Sequence, residues 1–311
     1  MRPSDAARLV GLGAIWGSSF LFIEVALEDL SFMQIVVARL GIGAALLVAL
    51  LYAGGARLPR GLQLYRTLAV MAVISNVVPF TLIVWGQQEV SSSLASILNS
   101  STPLFTVLLA AMFIESERLR PARFAGVVLG FAGVGVIVGL DAAGSTAGKI
   151  AITLASVSYA GGFVFARRHL VGLDLPALAI PATQLLISTA IVLPVAVIET
   201  MRTPSTLSAQ AIGSTLSLGV FASGVAYMLF YRLIADVGAT SSSFVTYLIP
   251  IFGVALGAVV LDEELGLNVL VGAVLVIAGI ALAEVAGRRA VPKAADGGIE
   301  PATEPSETTA R

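Results

Sequence analysis

Ten apolar runs follow one another along the chain: 8–27, 32–52, 67–87, 92–113, 121–139, 148–166, 177–198, 209–231, 239–260 and 267–286. Each is close to the ~20 residues a helix needs to cross a bilayer core. The gaps are mostly under a dozen residues, too short for a soluble domain. The pattern predicts an all-α polytopic membrane protein with ten transmembrane helices. Charge agrees: 12% of residues are charged and 57% hydrophobic, where soluble domains carry about 25% charge. So few charges do not cover a soluble surface of this size, and lipid is the expected surrounding. Arg2 and Arg8 before the first run resemble a signal peptide, but the run is long and lacks a small-x-small cleavage site, so it reads as the first span. The tail, 287–311, is rich in Ala, Pro, Glu and Thr and is expected to be disordered and cytoplasmic.

Lys and Arg set the orientation, because cytoplasmic loops collect them. With the N-terminus inside, the inner segments hold fifteen: Arg2 and Arg8; Arg57, Arg60 and Arg66; Arg118, Arg120 and Arg123; Arg167 and Arg168; Arg232; Arg288, Arg289, Lys293 and Arg311. The outer loops hold two, Lys149 and Arg202, and Arg39 lies inside a span. Both termini are therefore expected in the cytoplasm, in an inner or plasma membrane, with an even number of spans.

The chain also repeats itself. In span 4, Ser92, Ser96, Asn99 and Pro103 share one helical face. Ser96, Asn99 and Pro103 recur as Ser243, Thr246 and Pro250 in span 9, all at an offset of 147. With one residue deleted after Glu264, Gly126 and Gly133 meet Gly272 and Gly279 at an offset of 146. Upstream, AIWGSSF resembles SVSYAGGF, which pairs Trp16 with Tyr159. Residues 1–140 and 141–286 then form two five-span halves. An odd span number inserts the second half upside down, which predicts two inverted five-helix repeats with a site at their interface near the midplane.

These pieces resemble a known family. AIWGSSFLFIEVAL in span 1, ARLGIGAALL in span 2, the polar, proline-broken span 4 and FIESERLRPARFAGVVLGFAGVGVIV, with VVLDEELGLNVLVGAVLVIAGIAL as its second copy, are similar to the EamA domain of the drug/metabolite transporter superfamily. The resemblance covers roughly 8–286 and implies ten helices and movement of small organic solutes, often efflux of amino acids or related metabolites. Two departures stand out: Gln184 occupies the position of Arg39, and Tyr159 that of Trp16, so any role of Arg39 belongs to one half only.

Polar residues inside spans are candidates for the substrate pathway. Arg39 lies about seven residues into span 2, roughly 10 Å deep at 1.5 Å per residue. Either it faces the cavity, where its fork suits a carboxylate, or it forms an ion pair with Glu24. Asn99 and Thr246 are expected to line the cavity beside the carbonyls freed by Pro103 and Pro250, with Asn76 a further candidate ahead of Pro79. Ser19, Ser96 and Ser243 are equally well read as helix–helix contacts, and Gln184 as the counterpart of Arg39. Trp16, Tyr159, Tyr227 and Tyr247 offer rings for stacking or packing. In span 5, Gly126, Gly130, Gly133, Gly135 and Gly139 give GxxxG spacing twice, for an oligomer seam or tight internal packing. Glu115, Glu117, Asp262, Glu263 and Glu264 sit at helix starts and are expected to cap them.

Absent residues narrow the function. The chain has no Cys and a single His, His169, so thiol chemistry is excluded and neither a metal nor a cofactor is expected. No phosphate-binding loop occurs, so ATP does not drive the protein directly. A secondary transporter or exporter working by alternating access fits best. An integral-membrane transferase needs clustered His, Asp or Glu at one face, a channel needs a continuous polar lining, and a structural membrane protein needs neither paired polar helices nor matched prolines. Glu24 is the main carboxylate for proton coupling and lies shallow, which favours uniport or exchange. Expected partners are a small-molecule substrate and the lipid bilayer, without nucleic acid, for a monomer or homodimer.

Overall fold

The computed structural model describes residues 2–115, 121–139, 144–170, 173, 175–203, 205, 207–237, 242 and 244–288. Ser243, Glu117 and the tail from 289 onward lie outside them. Among the described residues the secondary structure is helical throughout, without strands. The helices are α1 (Pro3–Leu27), α2 (Phe32–Ala53), α3 (Leu62–Gly86), α4 (Ser92–Phe113), α5 (Pro121–Gly139), α6 (Thr146–His169), α7 (Ala179–Arg202), α8, α9 (Val245–Val260) and α10 (Leu267–Arg288). α8 runs through Ala209–Ser217, a π-helical turn Leu218–Val225 and Ala226–Val237. Seven of these are long and apolar enough to cross a membrane, and α5, α9 and α10 contribute shorter apolar segments. Their outward faces carry Met112, Phe124, Leu193, Val259 and Val274. Apolar side chains outside as well as inside are what a lipid surround requires, and the chain is a polytopic membrane protein.

Local sequence explains the irregularities. α4 breaks at Ser100–Ser101 and restarts at Thr102. Pro103 has no N–H to give the ladder. The hydroxyls of Ser100, Ser101 and Thr102 turn back instead onto the carbonyls of Ile97, Leu98 and Asn99, at 2.6, 2.6 and 2.7 Å. α3 contains a second π-helical turn, Val73–Val77, just before Pro79. Asn76 in that turn and Ser223 in the π-helical turn of α8 are separated by the repeat offset of 147.

Glycines let helices cross closely. α5 and α10 run antiparallel: a Cβ at Gly133 would lie 2.6 Å from the Gly272 carbonyl oxygen, and one at Gly126 would lie 2.7 Å from that of Gly279. The glycine-rich face of α5 is thus spent on packing within the chain. α1 runs parallel to α9, with Gly13 against Leu248 and Gly17 against Phe252 and Gly253. α2 packs on α7 and on the π-helical turn of α8, α3 on α6, and α4 between α6 and α9. The largest core cluster draws on both ends of the sequence, including Phe20, Leu40, Phe80, Leu98, Ala155, Leu185, Leu218 and Ile249.

Carboxylate capping occurs at a place the sequence does not suggest. Glu263, in the α9–α10 loop, accepts the backbone N–H groups of Ser92 and Ser93, both at 2.9 Å. It caps α4, not the helix that follows it, and satisfies two of the N–H groups a helix start leaves open.

Candidate functional site

Inside the bundle, α1, α2, α3, α6, α7 and α8 bring one polar and aromatic cluster together. Arg39 of α2 is 7% exposed. Its Nε donates to Ser223 Oγ at 3.2 Å, and its guanidinium carbon lies 4.0 Å from the centre of the Phe80 ring. A cation over an aromatic face is stabilised by the ring quadrupole. Phe80 meets Tyr159 edge-on at 6.4 Å, and Tyr159 and Tyr227 both lie within electrostatic reach of Arg39.

A chain of hydrogen bonds leads away from that centre. Tyr227 donates its hydroxyl to Asn76 Oδ1 at 3.3 Å. Asn76, fully buried, donates Nδ2 to Ser188 Oγ at 3.3 Å. The Ser188 hydroxyl is directed at the Gln184 carbonyl, 2.7 Å away. Trp16 donates Nε1 to the Ala222 carbonyl at 3.1 Å, in the π-helical turn next to Ser223. π-Helical turns shift the backbone ladder by one residue, and here they carry Asn76 and Ser223 to the centre.

The ion pair between Glu24 and Arg39 is not formed. Glu24 accepts from the Gln87 side-chain amide at 3.3 Å, while Arg39 is held by Ser223 and Phe80. Sequence depth makes such a pair conceivable, but the two side chains take different partners. Among the described residues no carboxylate lies within ion-pair distance of Arg39. The guanidinium is therefore a buried cation without a counter-charge among the described residues. Such a group is costly unless something supplies the missing charge.

The other sequence candidates divide. Trp16, Arg39, Asn76, Tyr159 and Tyr227 belong to the cluster, and Gln184 touches it through its carbonyl. Asn99 lies at the break in α4, where Ser156 of α6 approaches its carbonyl at 3.4 Å. Its Oδ1 is buried without a hydrogen-bond partner. Ser19 and Ser96 bond to carbonyls of their own helices, Ile15 and Ser93, and Ser96 packs against Gly253. Ser96 is thus a helix–helix contact, while Ser19 is held within α1. Pro103 sits at the restart of α4 and Pro250 is buried within α9. Thr246 and Tyr247 are half-buried on α9, with Tyr247 against the main core. Ser243 is outside the described residues. Phe80, Ser188 and Ser223 escape the sequence reading, although the repeat offset that joins Ser96 to Ser243 also joins Asn76 to Ser223.

Comparison with known proteins agrees with this architecture. The family model described as "EamA-like transporter family" matches the chain twice, over residues 7–139 and 146–284. A transporter of Bacillus subtilis, the uncharacterized YoaV, is 21% identical over 88% of this chain and 94% of its own length. The uncharacterized inner membrane transporter YedA of Escherichia coli is 27% identical, over 86% and 89%. A protein of Streptantibioticus cattleyicolor named as a probable terminal-alkyne amino-acid exporter is 28% identical, over 86% and 89%. A crystal structure at 21% identity superposes with a TM-score of 0.65 over 93% of this chain and 99% of the other, which establishes likeness of fold.

Proposed function

The chain belongs to the EamA-like transporter family, and we propose from its site that it moves a small carboxylate-bearing metabolite, an amino acid or related solute, out of the cell by alternating access. The observation that carries this reading is Arg39: a buried guanidinium with no carboxylate within ion-pair distance among the described residues. The carboxylate of a solute supplies the missing charge, bidentately. Phe80, Tyr159, Tyr227 and Trp16 offer rings for its apolar part. Asn99 Oδ1, buried and unpartnered, offers an acceptor for its amino group. The Streptantibioticus relative named as a probable amino-acid exporter supports the substrate class, and the transporter names of the other relatives favour transport over a transferase or a structural role.

The movement rests on two five-helix halves in opposite orientation, with both termini cytoplasmic. Two observations support it. The contact of Gly126 with Gly279 and that of Gly133 with Gly272 exchange when repeat-equivalent residues are swapped, and the helices that carry them are antiparallel. The π-helical turns also occur at equivalent positions, Val73–Val77 and Leu218–Val225. Cavities at the interface of such repeats open to one side at a time by rocking of one half on the other.

Counterflow in proteoliposomes, with a panel of amino acids and their amides and methyl esters, tests the substrate class. Free carboxylates are expected to exchange at least about tenfold faster than the matched amides, the minimum for one lost charge-assisted contact of roughly 1.5 kcal/mol. Equal exchange of acid and amide removes Arg39 as the carboxylate site.

A further inference from the structure

Glu24 turns away from Arg39 towards a second polar cluster. At the end of the bundle where α1, the α3–α4 corner and the α9–α10 loop approach one another, two carboxylates lie within electrostatic reach. Glu24 is joined to Gln87, whose Nε2 also donates to the Phe20 carbonyl at 2.9 Å. Glu263 caps α4. Glu263 and Glu28 are the acidic groups whose charges reach Glu24. Among the described residues no Lys or Arg lies within ion-pair distance of Glu24 or Glu263.

Three oxygens here have no hydrogen-bond partner: Gln87 Oε1, Ser92 Oγ and Ser93 Oγ. Their residues are 2%, 0% and 0% exposed. Two of the three, together with Glu263 Oε2, crowd the space beside Gly257: a Cβ added there would meet all three within 3.0 Å. Gly257 keeps that space open.

We propose that this oxygen cluster binds a hard monovalent cation, with Na+ as its test ion, between Glu263, Ser92 and Ser93 and in the field of Glu24. Carboxylate and hydroxyl oxygens are a hard-cation ligand set, and no cluster of three or more His, Cys, Asp or Glu occurs among the described residues to suggest a softer metal. A single proton on Glu24 would satisfy one acceptor and leave the others open, whereas a cation serves several at once. Charge selects monovalence. The α4 N-terminus carries about half a positive charge and offsets part of Glu263, so the cluster falls short of the two full negative charges that a divalent ion would match. The site also spans the halves: Glu24, Gln87, Ser92 and Ser93 lie in the first family match, Gly257 and Glu263 in the second. A bound ion ties the two together at one end, and its release frees them to move. This inference does not depend on which solute Arg39 holds.

Thermal unfolding of the purified full chain in detergent tests it, in NaCl, KCl or choline chloride at equal ionic strength and fixed pH. Saturating Na+ is expected to raise Tm by about 2–4 °C over choline, the size of effect a ligand of the folded state has on a chain of this length. Glu24→Gln, Ser93→Ala and Gly257→Ala are expected to abolish the shift, and Glu28→Gln, at an exposed position, to keep it. The minimal Ser93→Ala change serves if Glu24→Gln does not fold. Identical Tm values in Na+ and choline overturn the proposal. So does a Na+ shift that survives Ser93→Ala and Gly257→Ala, or a Tm that responds to pH but not to Na+, which assigns the carboxylates to a proton. The acid-versus-amide comparison that tests Arg39 is read separately, so none of these outcomes decides it.

Discussion

Gly279→Leu is expected to leave almost no folded protein, while Gly135→Ala is expected to fold normally. A Cβ at Gly279 would meet the Gly130 backbone nitrogen and Cα and the Gly126 carbonyl oxygen, all within 3.0 Å. Nothing there is the far end of a flexible side chain, so α5 and α10 must separate along their whole crossing. Overpacking of a core typically costs about 1–3 kcal/mol and sometimes more. Here it also removes the close approach that holds two membrane helices together, for which burial of apolar surface gives no drive in lipid. Against a total stability of about 5–15 kcal/mol, a leucine at this contact consumes a large share. Gly135, on the same helix, has nothing within 4 Å of its Cβ position. Alanine there gains helix propensity, up to ~1 kcal/mol. Size-exclusion profiles and detergent melting curves of the two variants read the difference. If Gly279→Leu melts with the parent, the two helices are not packed in this way.

Arg39→Ala is expected to lower affinity for a carboxylate solute at least about 30-fold, the lower end of the loss when one partner of a buried charged pair is removed. Folded yield should hold or improve, because the substitution removes an uncompensated charge from the interior. It forgoes only one hydrogen bond, to Ser223, and the stacking on Phe80. Arg39→Lys keeps the charge without the planar fork and should fall between. Binding and melting of the same preparations separate the roles. Lost binding with retained Tm identifies a solute contact. A lower Tm with unchanged affinity makes Arg39 part of the scaffold.

Much of this fold is written in hydropathy, because lipid demands long uninterrupted apolar helices. The run 92–113 and the helix Ser92–Phe113 coincide, as do 121–139 and Pro121–Gly139. Ends that leave the apolar zone are less legible: α3 starts at Leu62, ahead of the run at 67, since its first turn contains Gln63 and Arg66. The repeat was readable from Asn99, Thr246 and their prolines. The faces on which buried polar residues point were not. A π-helical turn rotates every residue beyond it, and the turn in α8 has no proline to announce it, only Gly219 and Gly224 where Ile42 and Leu46 of α2 press in. That rotation delivers Ser223 to Arg39. Glu263 was legible as a cap, but not the helix it caps, which lies about 170 residues away in sequence and is brought there only by packing of α4 on α9.

The central proposal is a wet chamber between the two halves, with Arg39 inside it and Asn99 and Thr246 at its wall. The chain has no cysteine, so single Asn99→Cys and Thr246→Cys variants can be labelled without background. Reaction of each with a membrane-impermeant, charged thiol reagent in intact proteoliposomes, slowed several-fold by a transported solute, is the predicted result. Labelling by a lipid-soluble maleimide alone, indifferent to any solute, would show both positions facing hydrocarbon and contradict the account.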